Sequence, residues 1–419
     1  MSETLTGRVE IGFDVYNPFD PEFVKNPFPV FDRMLSDYPV AFHTGINSWL
    51  VTPHDLASEV LKSPKLSSRL ADSGNPPPVK PEAEWNLYDQ MMNTSLLTVE
   101  RPEHLRLRRL TAPAFSRRVM DQIEARIKDS ITAIFDEIPD PRAFDAATDI
   151  AAKVPVRSIA DMVGVPAEAG ELFEHSMGWN LVRAGNPLYP LEEREEYIQG
   201  SLPGLQYLLD MVNERRASKD PGDDFIGTLV TYSEDGDRLT DAEIVSVISA
   251  LVTAGADTAV DLHAYAVKAL IENPSQREIL RSRPELGEAA VLEVLRSSGI
   301  GKFGGIPRFP YEDMEFGGQK LGKGEWVMAL FAPAMIDPAK WGPSAREFDI
   351  TRDLAGNIVF GAGPHLCIGL NLVKVQGQLM MEEFIRRFGD TAEVAGEITF
   401  DPMHFNARRM TSLPVRTGA

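Results

Sequence analysis

The stretch from Thr240 to Pro274 constrains this chain more than any other. Thr240, with Glu243 three residues on, forms a capping box, and the helical period then runs through EIVSVISALVTAGADTAVDLHAYAVKALIEN until Pro274 stops it. A helix of that length spans about 50 Å. Apolar residues occupy nearly every face of its middle, so it is expected to be buried. Its centre nevertheless reads AGADT, residues 254–258, and a glycine, an acid and a hydroxyl add nothing to the stability of a buried helix.

The rest of the chain fits around such a helix. From Glu103 to about Phe388 apolar residues recur three and four apart, as in helices. AFHTGINSWLVTPHD (41–55) predicts two short strands about a Gly-Ile-Asn turn, followed by the helix DLASEVLK. KLGKGEWVMALFAP (320–333) is β-like, and the prolines of SGNPPPVKPEAEWNLYDQ (73–90) predict a long loop. The expected fold class is mainly α with a small β region.

No Gly/Ser linker, charge block or repeat divides the 419 residues, so one large domain is expected. The formal charge of −20, from 42 basic and 62 acidic residues, argues against a nucleic-acid partner. The N-terminus, MSETLTGRVEIGFDVYNPFDP, has neither a basic start with an apolar core nor the roughly 20 apolar residues of a membrane anchor. With a single cysteine and hence no intrachain disulfide, the expectation is a cytoplasmic protein with no membrane attachment.

That cysteine, Cys367, sits in FGAGPHLCIG (360–369). Gly361, Gly363 and Gly369 permit positive φ and close backbone approach, and Pro364 stiffens the loop. The run IGLNLVKVQGQLMMEEFIRRF resumes helical spacing, which puts Cys367 just ahead of a helix N-terminus, where the dipole favours thiolate. Four readings stand at this point: a small buried hydrophobe, a catalytic nucleophile, one ligand of a zinc site, or the axial ligand of haem iron. Zinc lacks a second cysteine and paired histidines, a nucleophile has no local signature here, and haem needs one protein ligand, for which a thiolate serves.

FGAGPHLCIG resembles the cysteine-loop signature of the cytochrome P-450 superfamily, the haem-thiolate monooxygenases. Phe360 stands seven positions before the cysteine, Gly363 four before and Gly369 two after. Other segments follow in the family's order. AGADT resembles the oxygen-activating segment of the family's long helix, and GDRLTDAEI the approach to that helix in soluble bacterial members. EVLR (293–296) resembles the Glu-x-x-Arg motif, and VERPEHLRLRRL (99–110) the helix beside the haem propionates. The resemblance runs from about Asn17 to the C-terminus. It implies a single cytochrome P-450 domain over 1–419, β-rich at about 40–55 and 300–333, with haem b between the long central helix and the cysteine loop.

The resemblance also implies roles. Cys367 becomes the iron ligand, Phe360 packs beside the sulfur, and Gly363 and Gly369 shape the loop. His365, His104, Arg108 and Arg308 become propionate partners, and His104 and Arg108, four apart, share a helical face. Thr258 can bond the carbonyl of Ala254, widening the helix beside Gly255 into a groove for dioxygen. Asp257 becomes the proton conduit and Thr258 the hydrogen-bonding group beside dioxygen. Glu293 and Arg296 become fold determinants, but PSAREFDITR has Glu347 where many relatives carry arginine and AMIDP (334–338) replaces the frequent Asn-Arg before Asp-Pro, so the third member of their network stays open.

The implied reaction is insertion of one oxygen atom from O2 into a small, largely apolar organic substrate, by hydroxylation or O-dealkylation, in a monomeric enzyme. The expected pocket lining is the proline-rich loop to Leu97, residues 173–191, the helix near Ala250 and Leu251, and GIGKFGG (299–305), with polar handles at Asn93, Ser95, Asn180 and Arg183. No G-x-G-x-x-G fingerprint is present, so electrons must come from a separate ferredoxin or flavodoxin. Residues 100–118 hold six arginines against two glutamates, a local +4 that would steer an acidic redox partner. The alternatives are a peroxide-driven haem-thiolate peroxygenase and a non-catalytic haem sensor.

Overall fold

The Thr240 capping box forms as the sequence requires. Thr240 Oγ1 accepts from the Glu243 amide at 3.2 Å, and the Glu243 carboxylate accepts from the Thr240 amide at 2.8 Å. The helix they start runs unbroken over Asp241–Glu272 and ends at Asn273. This computed structural model describes residues 8–76, 80–185 and 189–418. Residues 1–7 of the N-terminal reading, 77–79 of the proline-rich loop and 186–188 of the 173–191 lining lie outside them.

The chain groups into two units, one of residues 79–288, 368–397 and 412–419 and the other of residues 1–78, 289–367 and 398–411. In the first, the Asp241–Glu272 helix is flanked by Val154–Val163, Leu191–Ala217 and Leu370–Phe388 and by a π-helical turn at Ala147–Ala151. Its Ile244, Ile248, Val252, Leu262, Ala266 and Leu270 are buried. Length and apolarity alone would let this helix cross a bilayer, yet most of its apolar stretch is buried inside the protein. A three-stranded sheet of Glu393–Val394, Pro414–Arg416 and Ala143–Asp145 completes the unit, outside the stretches expected to be β-rich.

His263 lies on this helix with both ring nitrogens buried and without a hydrogen-bond partner. Burial pushes its pKa from the ordinary 6.5 down to about 3. Between those values the unfolded chain binds a proton that the folded one refuses, so stability falls as pH drops, by up to about 1.4 kcal/mol per pH unit. His263→Leu removes the proton-binding difference. In urea titrations at pH 7 and pH 4.5, the variant is expected to lose about 2 kcal/mol less than the parent across that interval.

The other unit is built on a sheet ordered Glu10–Ile11, Val40–His43, Ser48–Val51, Trp326–Ala329. The middle pair is antiparallel, with His43 opposite Ser48, and the outer pairings are parallel. Alternation of side chains puts Val40, Phe42, Trp49 and Val51 in one apolar cluster and Ala41 and Leu50 in the other, so both faces are covered. The helix His54–Lys62 follows, with its first amide donating to Asp337. One expectation needs adjustment, and one open point closes. The proline-rich segment does not stay a loop to residue 90, because Asn86 and Asp89 form a capping box that starts a helix at Leu87. The third member of the Glu293 and Arg296 network is Arg352, whose Nε lies 3.5 Å from Glu293 Oε1, while Glu347 contributes only its carbonyl, which accepts from Arg296 at 2.9 Å.

Candidate active site

In the unit that holds the cysteine, Gly361 (φ 77°) and Gly363 (φ 71°) take left-handed backbone. A Cβ on Gly363 would also press within 3.2 Å of the Leu61 carbonyl oxygen. The loop folds back so that the Cys367 amide donates to the Phe360 carbonyl at 2.8 Å. Cys367 and Phe360 are half-exposed. His365 Nε2 lies 3.0 Å from Ser68 Oγ, a partner the sequence reading did not identify. Gly369 departs from expectation: with φ −79° it is the N-cap of the Leu370–Phe388 helix and needs no special conformation. Arg308 is buried, pairs across a β-bridge with Val327, and donates to the Ile306 carbonyl at 2.7 Å.

The second set of residues lies in the unit holding the long helix. His104 is buried and Arg108 half-buried one turn on, in the helix Glu103–Thr111. Thr258 Oγ1 donates to the Ala254 carbonyl at 2.6 Å. Ala254 and Thr258 are exposed although Val252 and Ala259 beside them are buried, so one strip of a core helix lies uncovered. Asp257 is half-buried. Gly255 has a packing reason of its own, since a Cβ there would come within 3.2 Å of Ile159 on the neighbouring helix. The helix is α-helical through this point, so the Thr258 bond forms without the expected opening of its turn.

Among the described residues no three His, Cys, Asp or Glu side chains gather as a metal cage would require. A porphyrin brings four nitrogens of its own and asks the protein for one axial ligand. Within the unit that holds it, the half-exposed Cys367, carried on a loop with positive-φ glycines at 361 and 363, is a donor that fits that one requirement of haem.

The cytochrome P450 family profile matches residues 204–401. Over 415 residues the chain is 31% identical to the vitamin D(3) 25-hydroxylase of Pseudonocardia autotrophica, spanning 97% of this chain and 98% of that protein. The chain is a cytochrome P450. It is also 29% identical over 379 residues to the epothilone C/D epoxidase of Sorangium cellulosum, across 89% of this chain and 88% of that one. The solved structure of epothilone D-bound cytochrome P450epoK superposes with a TM-score of 0.85 at 27% identity, covering 96% of this chain and 99% of that chain. The protein is thus a P450 monooxygenase of bacterial type, and its family works with haem, dioxygen, an organic substrate and an external electron donor.

The arginine-rich segment does not present the bare positive patch expected of it. Arg106 meets Glu103, Asp237 and Glu243, Arg109 meets Glu234 at 3.3 Å, Arg117 meets Asp121 and Glu288, and Arg118 meets Asp223 at 3.2 Å. Bonds to Asp237 and Glu243 raise the Arg106 pKa further still. Most of these acids come from sequence far from the segment, which is why local counting overstated its field.

Proposed function

We propose that this P450 inserts one atom of O2 into a largely apolar organic molecule, by hydroxylation or O-dealkylation, as a cytoplasmic monomer of one domain over residues 1–419. The observation that carries the reading is the half-exposed thiol of Cys367, the chain's only cysteine, in a loop closed by the Cys367 amide and the Phe360 carbonyl. The cofactor is haem b, with Cys367 as the iron ligand, Phe360, Gly363 and Gly369 around it, and His104, Arg108, Arg308 and His365 as propionate partners. Haem with a thiolate ligand supplies the oxygen-activating chemistry. Relatives named for vitamin D(3) and for epothilone favour a large, mostly apolar substrate.

The protein's own part is to deliver protons without admitting bulk water. Thr258 has its hydroxyl hydrogen engaged by the Ala254 carbonyl, so its oxygen is left to accept a hydrogen bond beside dioxygen. Half-buried Asp257 takes up a proton at its carboxylate from solvent and passes it inward. With NADPH and surrogate redox partners, Thr258→Ala and Asp257→Asn are expected to divert several-fold more reducing equivalents to peroxide at similar NADPH consumption. Unchanged coupling in both variants removes these roles. Product formed with peroxide alone would indicate a peroxygenase, and ligand binding without any turnover a sensor.

Electrons arrive from a ferredoxin or flavodoxin. Because acids offset four of the six arginines, Arg106, Arg109, Arg117 and Arg118, the salt slope should be shallow. Between 20 and 300 mM salt the reduction rate is expected to change by less than about threefold. A steep fall would mean that the ion pairs open on docking.

A further inference from the structure

GIGKFGG places a lysine where a pocket wall has no use for a charge, and the structure buries it. Lys302 is 1% exposed, and its ammonium donates to the carbonyls of Pro402 at 2.7 Å and His404 at 2.8 Å. Those carbonyls belong to the turn between the strands Thr399–Asp401 and Arg409–Ser412. The same turn returns the arrangement. Arg408, 4% exposed, donates Nη1 to the carbonyls of Ser298 and Gly299, both at 3.1 Å, and its other nitrogens to Val24 at 2.6 Å and Lys25 at 2.9 Å.

Between the two cations the backbones pair directly. The Lys302 amide donates to Asn406 at 3.0 Å, the Arg408 amide donates to Ile300 at 2.8 Å, and Gly301 bridges Ala407. Phe303 stacks on Phe405 with centroids 5.0 Å apart. The Tyr16 hydroxyl donates to the Lys302 carbonyl, and the Lys302 ammonium lies 5.4 Å from the Phe19 ring centre. Burying an ammonium is costly unless its bonds are made, so a lysine spent on main-chain carbonyls fixes the position of the segment that carries them.

We infer that Lys302 and Arg408 form a reciprocal clamp that makes the 298–303 segment and the 402–408 turn one rigid element, and that Lys302 is thereby a positioning residue for substrate selection. The inference rests on the reading that 299–305 borders the substrate. The clamp sets how far Phe303 and its stacked partner Phe405 can give way to a bulky molecule, so it selects by size and leaves the chemistry alone.

The test uses the haem-loaded full chain and Lys302→Met, which keeps the length of the side chain and removes its donors. Amide hydrogen exchange in both segments is expected to quicken together by about tenfold or more, with the long helix unaffected. Imidazole and 4-phenylimidazole, read by the shift of the haem absorption band, report size selection. The preference between them is expected to move by roughly tenfold while imidazole affinity holds. Arg408→Lys, which keeps the charge and loses the fork, should loosen the same two segments and serves if Lys302→Met does not fold. Exchange that quickens in one segment only, or in neither, overturns the clamp. Joint loosening with an unmoved imidazole preference overturns the assignment of this element to the substrate wall and leaves the clamp standing.

Discussion

Replacing Cys367 with alanine or serine will abolish monooxygenase turnover and the red-shifted absorption band of the reduced carbon monoxide complex, while leaving the fold nearly as stable. The two outcomes separate because the side chain and the backbone of this residue do different work. The loop is held by the Cys367 amide on the Phe360 carbonyl and by the left-handed backbone of Gly361 and Gly363, none of which needs sulfur. The side chain is half-exposed, so its removal from the apo chain is expected to cost about 0.5 kcal/mol or less. The electronic effect has no substitute in the sequence, since no second cysteine exists. Absorption of the reduced carbon monoxide complex and a thermal melt of the apo form, taken on the same preparation, check both halves. A thiolate-type band surviving in the alanine variant would remove Cys367 as the iron ligand.

Features whose physical cause is local were legible in the sequence. The capping box at Thr240 and Glu243, the helix stop enforced by Pro274 and the Thr258 bond to Ala254 depend on residues within one or two turns of each other, and all three are present. The same is true of the cysteine loop, whose glycines at 361 and 363 adopt the backbone that only glycine adopts freely. What failed depended on distant sequence. The charge of residues 100–118 looked unopposed because Glu234, Asp237 and Asp223 are more than a hundred positions away. Lys302 sits in a stretch expected to line the pocket, and nothing near it in sequence announces the carbonyls of Pro402 and His404. Gly369 was over-read: a helix N-cap accommodates glycine without requiring it. Arg352 could have been found, for a buried glutamate paired with a single arginine invites a second cation, and DITRD supplies one at the end of the segment already under suspicion.

That buried network supports the second large effect. Glu293 and Arg296 are both 0% exposed, with Arg296 Nε 2.6 Å and Nη2 2.8 Å from the two carboxylate oxygens. The remaining guanidinium hydrogens go to the carbonyls of Met335, Ala345 and Glu347, so all five donors are used. Glu293 also accepts from the Asp349 amide at 3.0 Å. Arg296→Met strands a buried carboxylate with only Arg352 at 3.5 Å to oppose it and leaves three carbonyls without this donor, so unfolding should become easier by about 3–5 kcal/mol. Such a loss is a large share of the roughly 5–15 kcal/mol that holds a typical domain. Arg296→Lys should recover little, because an ammonium has three donors and no planar fork to meet five acceptors on four residues. Glu293→Gln should cost less than Arg296→Met, since the amide oxygen can still accept from Arg296 and Asp349 and the surplus positive charge keeps its carbonyls. Urea midpoints for the three variants give the order directly, and an Arg296→Met midpoint equal to that of the parent would show that the pair contributes nothing to the fold. The loop from Met335 to Arg352 hangs on Arg296 and leads into the cysteine loop, so haem retention is expected to fall in the same order as stability.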